Sequence, residues 1–132
     1  MNRATLETWT HAALRIVTGF LFAQHGAQKL FGVLTTRAPV ELMSQAGLGG
    51  VIELLGGALI ALGLFTRSAA FLSSGTMAVA YAQFHWKFAM DERFLPIVNH
   101  GELSVVYCFV FLWLAVRGGG PASLDAIVRR KP

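Results

Sequence analysis

Long apolar runs separated by short polar stretches dominate the pattern along the chain. Four runs have the length of membrane-spanning helices, because about 20 residues are needed to cross roughly 30 Å of hydrocarbon. These runs occupy residues 12–31, 48–65, 68–85 and 96–116. The third contains no Asp, Glu, Lys or Arg and therefore has no charged face of the kind that surface helices carry. The pattern predicts an all-α fold: an antiparallel four-helix bundle in a membrane, formed by residues 1–132 as one domain.

The fourth run reaches the length of a span only when the polar residues before it are included. Its continuous apolar part, residues 103–116, would rise only about 21 Å as a helix. An extension back to Pro96 gives a full span, because proline is well tolerated in the first helical turn. The extension also places His100 and Glu102 in the outer part of the membrane.

Composition disfavours the other classes of protein. Hydrophobic residues make up 55% of the chain and charged residues 14%, against about 25% charged in typical soluble domains. Arg15 interrupts the first run and no small-residue cleavage site follows it, which argues against a cleaved signal peptide. The formal charge is +4, but the basic residues are scattered singly apart from Arg129, Arg130 and Lys131. We therefore expect no nucleic-acid partner.

The distribution of lysine and arginine predicts the orientation. If the N-terminus is cytoplasmic, seven basic residues lie towards the cytoplasm and four lie outside, as the positive-inside rule favours. The seven are Arg3, Arg15, Arg67, Arg117, Arg129, Arg130 and Lys131, and the four are Lys29, Arg37, Lys87 and Arg93. We therefore expect both termini in the cytoplasm, with Arg15 extending to the inner headgroups.

The ionisable residues of the runs gather at one depth, in the outer half of the predicted bundle. A charge at the centre of a span costs about 2.5–3.5 kcal/mol, so each such residue needs a partner or a function. The cluster consists of His25, Lys29, Glu53, His85, His100 and Glu102.

Glu53 is the most deeply placed carboxylate of this cluster. At 100° per residue it shares a helix face with Gly49, Gly56 and Gly57, which directs it to a helix interface rather than to lipid. Lys29 is the cation nearest to it in depth. The pattern leaves two interpretations open: a structural ion pair, or a site residue that exchanges protons.

Metal and thiol chemistry have weaker support. The four histidines do not show H-x₃-H or HExxH spacing, so the sequence predicts no metal site, although one assembled across helices from His25, His85, His100 and Glu102 remains an alternative. Cys108 is the one cysteine, which excludes an internal disulfide or a CxxC pair. We expect Cys108 to have a packing role.

Three segments resemble the DoxX family of small membrane proteins. LRIVTGFLFAQHGAQKLFG (residues 14–32) resembles the family's first span, with its basic residue and H-G-x-x-K ending. IELLGGALIALGLFTR (residues 52–67) resembles the second span, and HGELSVVYCFVFLWLAVRGGGPASLD (residues 100–125) resembles the fourth span and its S-L-D tail. The positions that match these motifs are Arg15, His25, Lys29, Glu53, Arg67, Glu102 and Asp125.

The resemblance implies a four-span protein of the bacterial inner membrane. Some family members are linked to thiosulfate:quinone oxidoreduction, in which two small subunits work together, and others associate with enzymes of oxidative-stress and thiol handling. We therefore expect a redox-associated subunit whose polar cluster contacts a quinone head group or a small sulfur oxyanion. Glu53 and Glu102 are the candidates for proton exchange, and the candidate ligand-binding residues are Arg15, His25, Lys29, His85 and His100.

The expected partners are the lipid bilayer, a redox enzyme or second small membrane subunit, and another copy of the chain. The main alternative is a non-catalytic scaffold that anchors a partner enzyme at the membrane. A small-solute carrier is less favoured, because the chain shows no internal repeat that would form a transport pathway.

Overall fold

Every regular element in residues 1–129, the part of the chain described by this computed structural model, is helical. The α-helices are α1 (Arg3–Phe31), α2 (Gln45–Leu62), α3 (Thr66–Ala80), α4 (Pro96–Asn99), α5 (Glu102–Arg117) and α6 (Leu124–Arg129). The prediction of an all-α fold is confirmed. Arg130 and Lys131, which belong to the predicted C-terminal basic cluster, lie outside the described residues.

One helix in the described part of the chain is long and apolar enough to cross a membrane by length and composition. This is α2, with 18 residues and a mean hydropathy of 1.6. The helices α3 and α5 have 15 and 16 residues, but α3 continues without a break into a π-helical turn at Tyr81–Trp86. In that turn Lys87 N–H donates to the Ala82 carbonyl, five residues back.

Glycines bring α1 and α2 into backbone contact. A Cβ added to Gly26 would lie 2.3 Å from the backbone nitrogen of Leu54, and one added to Gly57 would lie 2.5 Å from the Gly19 carbonyl. Gly19 in turn faces the backbone of Ala61. As the α1 residue number rises, its α2 partner falls, so the two helices are antiparallel. Small residues permit this separation because no side chain stands between the backbones.

The helices α3 and α5 form the second closely packed antiparallel pair. The Ser74 hydroxyl donates to the Cys108 carbonyl at 2.8 Å, which places the half-buried Cys108 against α3. Between the two pairs, Phe22 of α1 stacks edge-on against Phe111 of α5, with ring centroids 4.7 Å apart. Other members of this buried core are Ile60, Ala70, Met77, Tyr107 and Leu114.

The predicted fourth span is interrupted. Pro96 begins α4 in its first turn, as expected, but α4 ends at Asn99 and α5 begins only at Glu102. His100 has a left-handed backbone (φ 58°), and the Asn99 side chain accepts from the N–H of Gly101. A continuous helix over residues 96–116 was therefore the wrong expectation, because the local turn at 99–101 competes with the helix.

The C-terminal tail closes the turn between α2 and α3. Asp125 accepts from the backbone N–H groups of Phe65 and Thr66, at 2.8 and 3.0 Å, and so caps the start of α3. Burial raises the pKa of Asp125, but the hydrogen bonds from Thr66 and Phe65 outweigh burial and hold the pKa below its ordinary value. Phe65 needs this support since it has a left-handed backbone, with φ 48°.

Candidate functional site

An apolar cavity of about 690 Å³ lies among α1, α2, α3 and α5. Its size is within the range of about 300–1,000 Å³ that is typical of small-molecule sites. Most of its lining is aliphatic and aromatic, and the few polar side chains that reach it come from different helices. The polar lining residues are His25, Lys29, Arg37, Gln45, Glu53, Thr76, His85, Ser104 and Tyr107.

Glu53 lies at the buried wall of this cavity. Its side chain is only 3% exposed, and its Oε1 accepts from Lys29 Nζ at 2.6 Å. The other carboxylate oxygen, Oε2, is buried without a hydrogen-bond partner. The predicted proximity of Lys29 and Glu53 is confirmed, and Glu53 faces the interior, as the helix geometry predicted.

The orphaned oxygen has a definite cost. A buried polar atom without a partner costs about 1–3 kcal/mol, and more when it carries charge. Lys29 Nζ donates to Oε1 and not to Oε2, so Oε2 is an acceptor without a donor. The arrangement can therefore accept a hydrogen bond, or a proton, from a group placed in the cavity.

Aromatic side chains flank the ion pair. The ring of Tyr107 lies edge-on to His25, with centroids 6.4 Å apart, and stacks against Phe111 at 5.3 Å. Tyr107 is buried, whereas His25 is exposed. Together they give the cavity a wall that has an apolar body and two groups able to form hydrogen bonds.

His85 lines the cavity from the π-helical turn. It also lines a second, smaller cavity of about 300 Å³, together with Lys87, Arg93 and Asn99. Its Nδ1 lies 3.2 Å from the Asn99 carbonyl. His85 thus lines both the cavity that contains Glu53 and the smaller cavity beside it.

Three of the candidate residues lie outside the cavity, and two of them are at or next to the start of α5. His100 occupies the break between α4 and α5, and Glu102 is in the first turn of α5; both side chains are exposed. Neither lines the cavity that contains Glu53. The break explains this result, because the polar segment no longer continues the axis of α5 into the core.

Arg15 lies at the other end of α2 from Glu53. The expectation that it extends to the inner headgroups is wrong, since it is 1% exposed. Its guanidinium donates to the Ile60 and Ala61 carbonyls at the end of α2 and to the Ala122 carbonyl of the tail. The Ile60 carbonyl also accepts from the N–H of Gly63, so Arg15 adds further donors at the C-terminal end of α2; it does not line the cavity.

The described residues do not bring together a metal site. Across residues 1–129, no three His, Cys, Asp or Glu side chains are grouped as metal ligands would be. The cross-helix alternative of His25, His85, His100 and Glu102 therefore lacks the required cluster.

Sequence reasoning missed Tyr107 and the link between Gln45 and Gln83. Tyr107 is the one phenol in the apolar run of α5, and a phenol there needs a polar neighbour, which is a signal that could have identified it. The Gln45 amide donates to the Gln83 side-chain carbonyl, which joins the start of α2 to the π-helical turn. No local pattern predicts that contact, because the residues are 38 positions apart.

Comparisons with known proteins agree with these features. The family model DoxX matches residues 10–86. An uncharacterized protein of Haemophilus influenzae is 38% identical over 122 residues, covering 86% of this chain and 87% of the relative. Inner membrane protein YqjF of Escherichia coli is 30% identical over 121 residues, covering 89% and 90%. No solved structure matches the chain.

The matched region contains most of α1 and all of α2 and α3, including Lys29, Glu53 and the glycines that join α1 to α2. Both relatives extend the similarity over most of their own length, so the likeness concerns the whole chain and not one helix. The chain belongs to the DoxX family.

Proposed function

We propose that this DoxX-family protein is a multi-pass inner-membrane protein and a redox-associated subunit that binds a quinone in the cavity beside Glu53. The observation that carries the proposal is the buried Oε2 of Glu53, a carboxylate oxygen without a hydrogen-bond donor at the wall of an apolar cavity.

The membrane assignment rests on sequence and packing together. A relative of similar length is named an inner membrane protein, and α2 is apolar enough to span. In this proposal α1, α2, α3 with its π-helical turn, and the interrupted pair α4 and α5 cross the membrane as an antiparallel four-helix bundle. Large apolar side chains cover the outside, among them Phe20, Leu55, Phe71, Phe109 and Trp113. Such a surface suits lipid and not water.

A quinone fits the cavity better than a sulfur oxyanion does. The lining is mostly apolar, and the charge of Lys29 is already neutralised by Glu53. Arg37 also lines the cavity, but its side chain is exposed on the loop after α1, so an anion in the apolar part of the cavity would lie beside the Glu53 carboxylate, which is costly. The quinol form, a neutral ring with a hydroxyl at each end, would donate a hydrogen bond to Glu53 Oε2 and would contact aromatic surfaces at Phe22 and Tyr107.

The residues of the chain have separate roles in this proposal. A bound quinone supplies the capacity to take up and release two electrons and two protons. Lys29 donates to Glu53 Oε1, and Glu53 Oε2 accepts the hydrogen of a quinol hydroxyl and can hold its proton. Tyr107, on the same wall of the cavity as Glu53, contacts the ring, and the apolar lining excludes water. Glu102 and His100 lie outside the cavity and take no part.

The test is the quinone content of the purified protein. The wild-type protein and Glu53→Gln are placed in nanodiscs of defined quinone content, washed and extracted with organic solvent. Quinone is then measured by its reduced-minus-oxidised absorbance. We expect close to one quinone per wild-type chain above empty nanodiscs, and at least a five-fold loss in Glu53→Gln.

Two controls make the result specific. Glu41→Gln changes an exposed loop carboxylate and should retain wild-type quinone content. Gly49→Leu fills the cavity from a position where an added Cβ meets no atom within 4 Å, so it should reduce binding without disturbing the fold. Quinone content equal to that of empty nanodiscs in the wild type would contradict the proposal and favour the scaffold.

A further inference from the structure

The helices α2 and α3 approach each other at both ends of the cavity. At the inner end, a Cβ on Gly56 would lie 2.6 Å from Ser73 Oγ, so the backbones are close there. At the outer end, the Gln45 amide donates to the Gln83 side chain and joins the two elements again. The cavity lies between these two contacts.

Between these two contacts the helices leave a gap. Gly49 of α2 and Gly75 of α3 both line the cavity, and a Cβ added to either would meet no atom within 4 Å. Leu48, Leu72 and Val79 stand beside them, and all three are exposed. The gap therefore has an apolar rim. It is wide enough that a Cβ added at either glycine would contact no other atom.

The gap opens sideways from the helices and not towards their ends. The opposite face of α2 is covered by α1 at Gly50 and Gly57, and α3 is covered by α5 where Ser74 binds the Cys108 carbonyl. The two ends of the gap are closed by the contacts of Gly56 and Gln45. In a membrane, the uncovered side of the gap therefore faces the hydrocarbon of the bilayer.

We propose that this gap, bounded by Gly49, Ile52, Leu72 and Gly75, is a lateral portal through which a tailed, lipid-soluble ligand enters the cavity directly from the bilayer. The head group lies at Glu53 and the isoprenoid tail lies between α2 and α3, with its end in lipid. This inference rests on the proposed quinone site and adds its route of entry and the place of the tail.

Two observations select this occupant. The polar groups lie on the far wall, at Lys29, Glu53 and Tyr107, whereas the rim of the gap is aliphatic. A molecule with a polar head and an apolar tail matches that order of surfaces. The orphaned Oε2 of Glu53 requires the head to present a hydrogen-bond donor, which an acyl chain alone does not have.

The experiment closes the gap reversibly. Cysteines replace Gly49 and Gly75 in a Cys108→Ala background, so that a bifunctional methanethiosulfonate linker reacts only with the introduced pair. Protein loaded with quinone is mixed with vesicles containing deuterated quinone, and exchange is followed by mass spectrometry. We expect the bridge to slow exchange at least ten-fold, and a reductant that cleaves the linker to restore the rate.

The matched control places the bridge away from the cavity. Cysteines replace Arg3 and Glu7, whose exposed side chains pair across one turn of α1, and are bridged in the same background. We expect exchange within two-fold of the unbridged protein. Equal slowing by this bridge and by the Gly49–Gly75 bridge would show that the linker acts without closing the gap and would overturn the portal.

The two proposals fail in different ways. If the unbridged Cys108→Ala protein holds no quinone, the quinone site is wrong and the portal loses its ligand. If that protein exchanges quinone and the Gly49–Gly75 bridge leaves the rate unchanged, the site stands and the lateral portal is wrong.

Discussion

Lys29 and Glu53 form an ion pair in which the two partners are unequally protected from solvent. Lys29 Nζ lies 2.6 Å from Glu53 Oε1, yet the lysine side chain is 41% exposed and the glutamate 3%. Lysine can turn to solvent or headgroups if its partner is removed, because its charge ends a flexible stem. The glutamate has no such alternative, so the loss of either partner should have very different consequences.

This asymmetry predicts the effects of single substitutions. Lys29→Met leaves a buried carboxylate without a cation and should lower the free energy of unfolding by about 3 kcal/mol. Glu53→Gln should cost less than about 1.5 kcal/mol, and adding it to Lys29→Met should restore most of the loss. Unfolding of detergent-solubilised protein measures all three. Equal losses for both single variants would contradict the asymmetry.

The backbone contact between α1 and α2 predicts a contrast between two glycines. Gly57→Ala puts a Cβ 2.5 Å from the Ala23 nitrogen, so the helices must separate and the unfolding free energy should fall by about 2–3 kcal/mol. Gly75→Ala meets no atom within 4 Å and should be neutral or raise stability by up to about 1 kcal/mol, since alanine favours helix. Thermal unfolding distinguishes them, and a neutral Gly57→Ala would contradict the close packing.

The sequence predicted the Lys29–Glu53 pair because two regular rules locate it. Helical phase directs Glu53 to the glycine face, and antiparallel order brings the end of α1 to the start of α2. Both rules depend on long, regular helices. The same rules failed at residues 99–101, where a left-handed His100 and the Asn99 side chain interrupt the helix.

The expectation for Arg15 was wrong for a different reason. The expectation assumed that the charge of Arg15 would reach water. Its guanidinium instead donates hydrogen bonds to three carbonyls, at the end of α2 and in the tail. Ala122, whose carbonyl accepts from Arg15, is 107 positions away along the chain. A hydropathy pattern does not predict which distant segment will pack against Arg15. Long-range polar contacts of this kind follow from tertiary packing and not from local pattern.

Arg15 should be less tolerant of substitution than any exposed arginine. Arg15→Lys keeps the charge but cannot reach three carbonyls with one ammonium group, so it should lower the unfolding free energy by about 2 kcal/mol or more. Arg3→Lys, in an exposed pair with Glu7, should change it by less than about 0.5 kcal/mol. Matched denaturation curves check the contrast, and a neutral Arg15→Lys would contradict the capping role.

The contact of Asp125 with Phe65 and Thr66 predicts a pH dependence. The pKa of Asp125 is lowered in the folded protein, so its contribution is complete above the unfolded pKa of about 3.9 and is lost as pH falls through the folded value. Asp125→Ala should therefore cost about 1 kcal/mol at pH 7, as the loss of a helix cap does, and much less near pH 2. Glu41→Ala is the control and should show no such change. An Asp125→Ala loss that is the same at both pH values would contradict the linkage.

The predicted orientation can be tested at two exposed positions. Met90 lies in the loop after the π-helical turn, and Val128 lies in α6 near the C-terminus. Single cysteines at these positions, in a Cys108→Ser background, are treated in intact cells with a thiol reagent that cannot cross the inner membrane. If the termini are cytoplasmic, Met90→Cys should be labelled and Val128→Cys protected, and lysis should expose both to the reagent.

The contacts of α6 with the α2–α3 turn fix those two segments at the same end of the molecule, so a Leu62→Cys variant should follow Val128→Cys. Labelling of Val128→Cys but not Met90→Cys before lysis would reverse the orientation and move the ion pair of Lys29 and Glu53 to the cytoplasmic half.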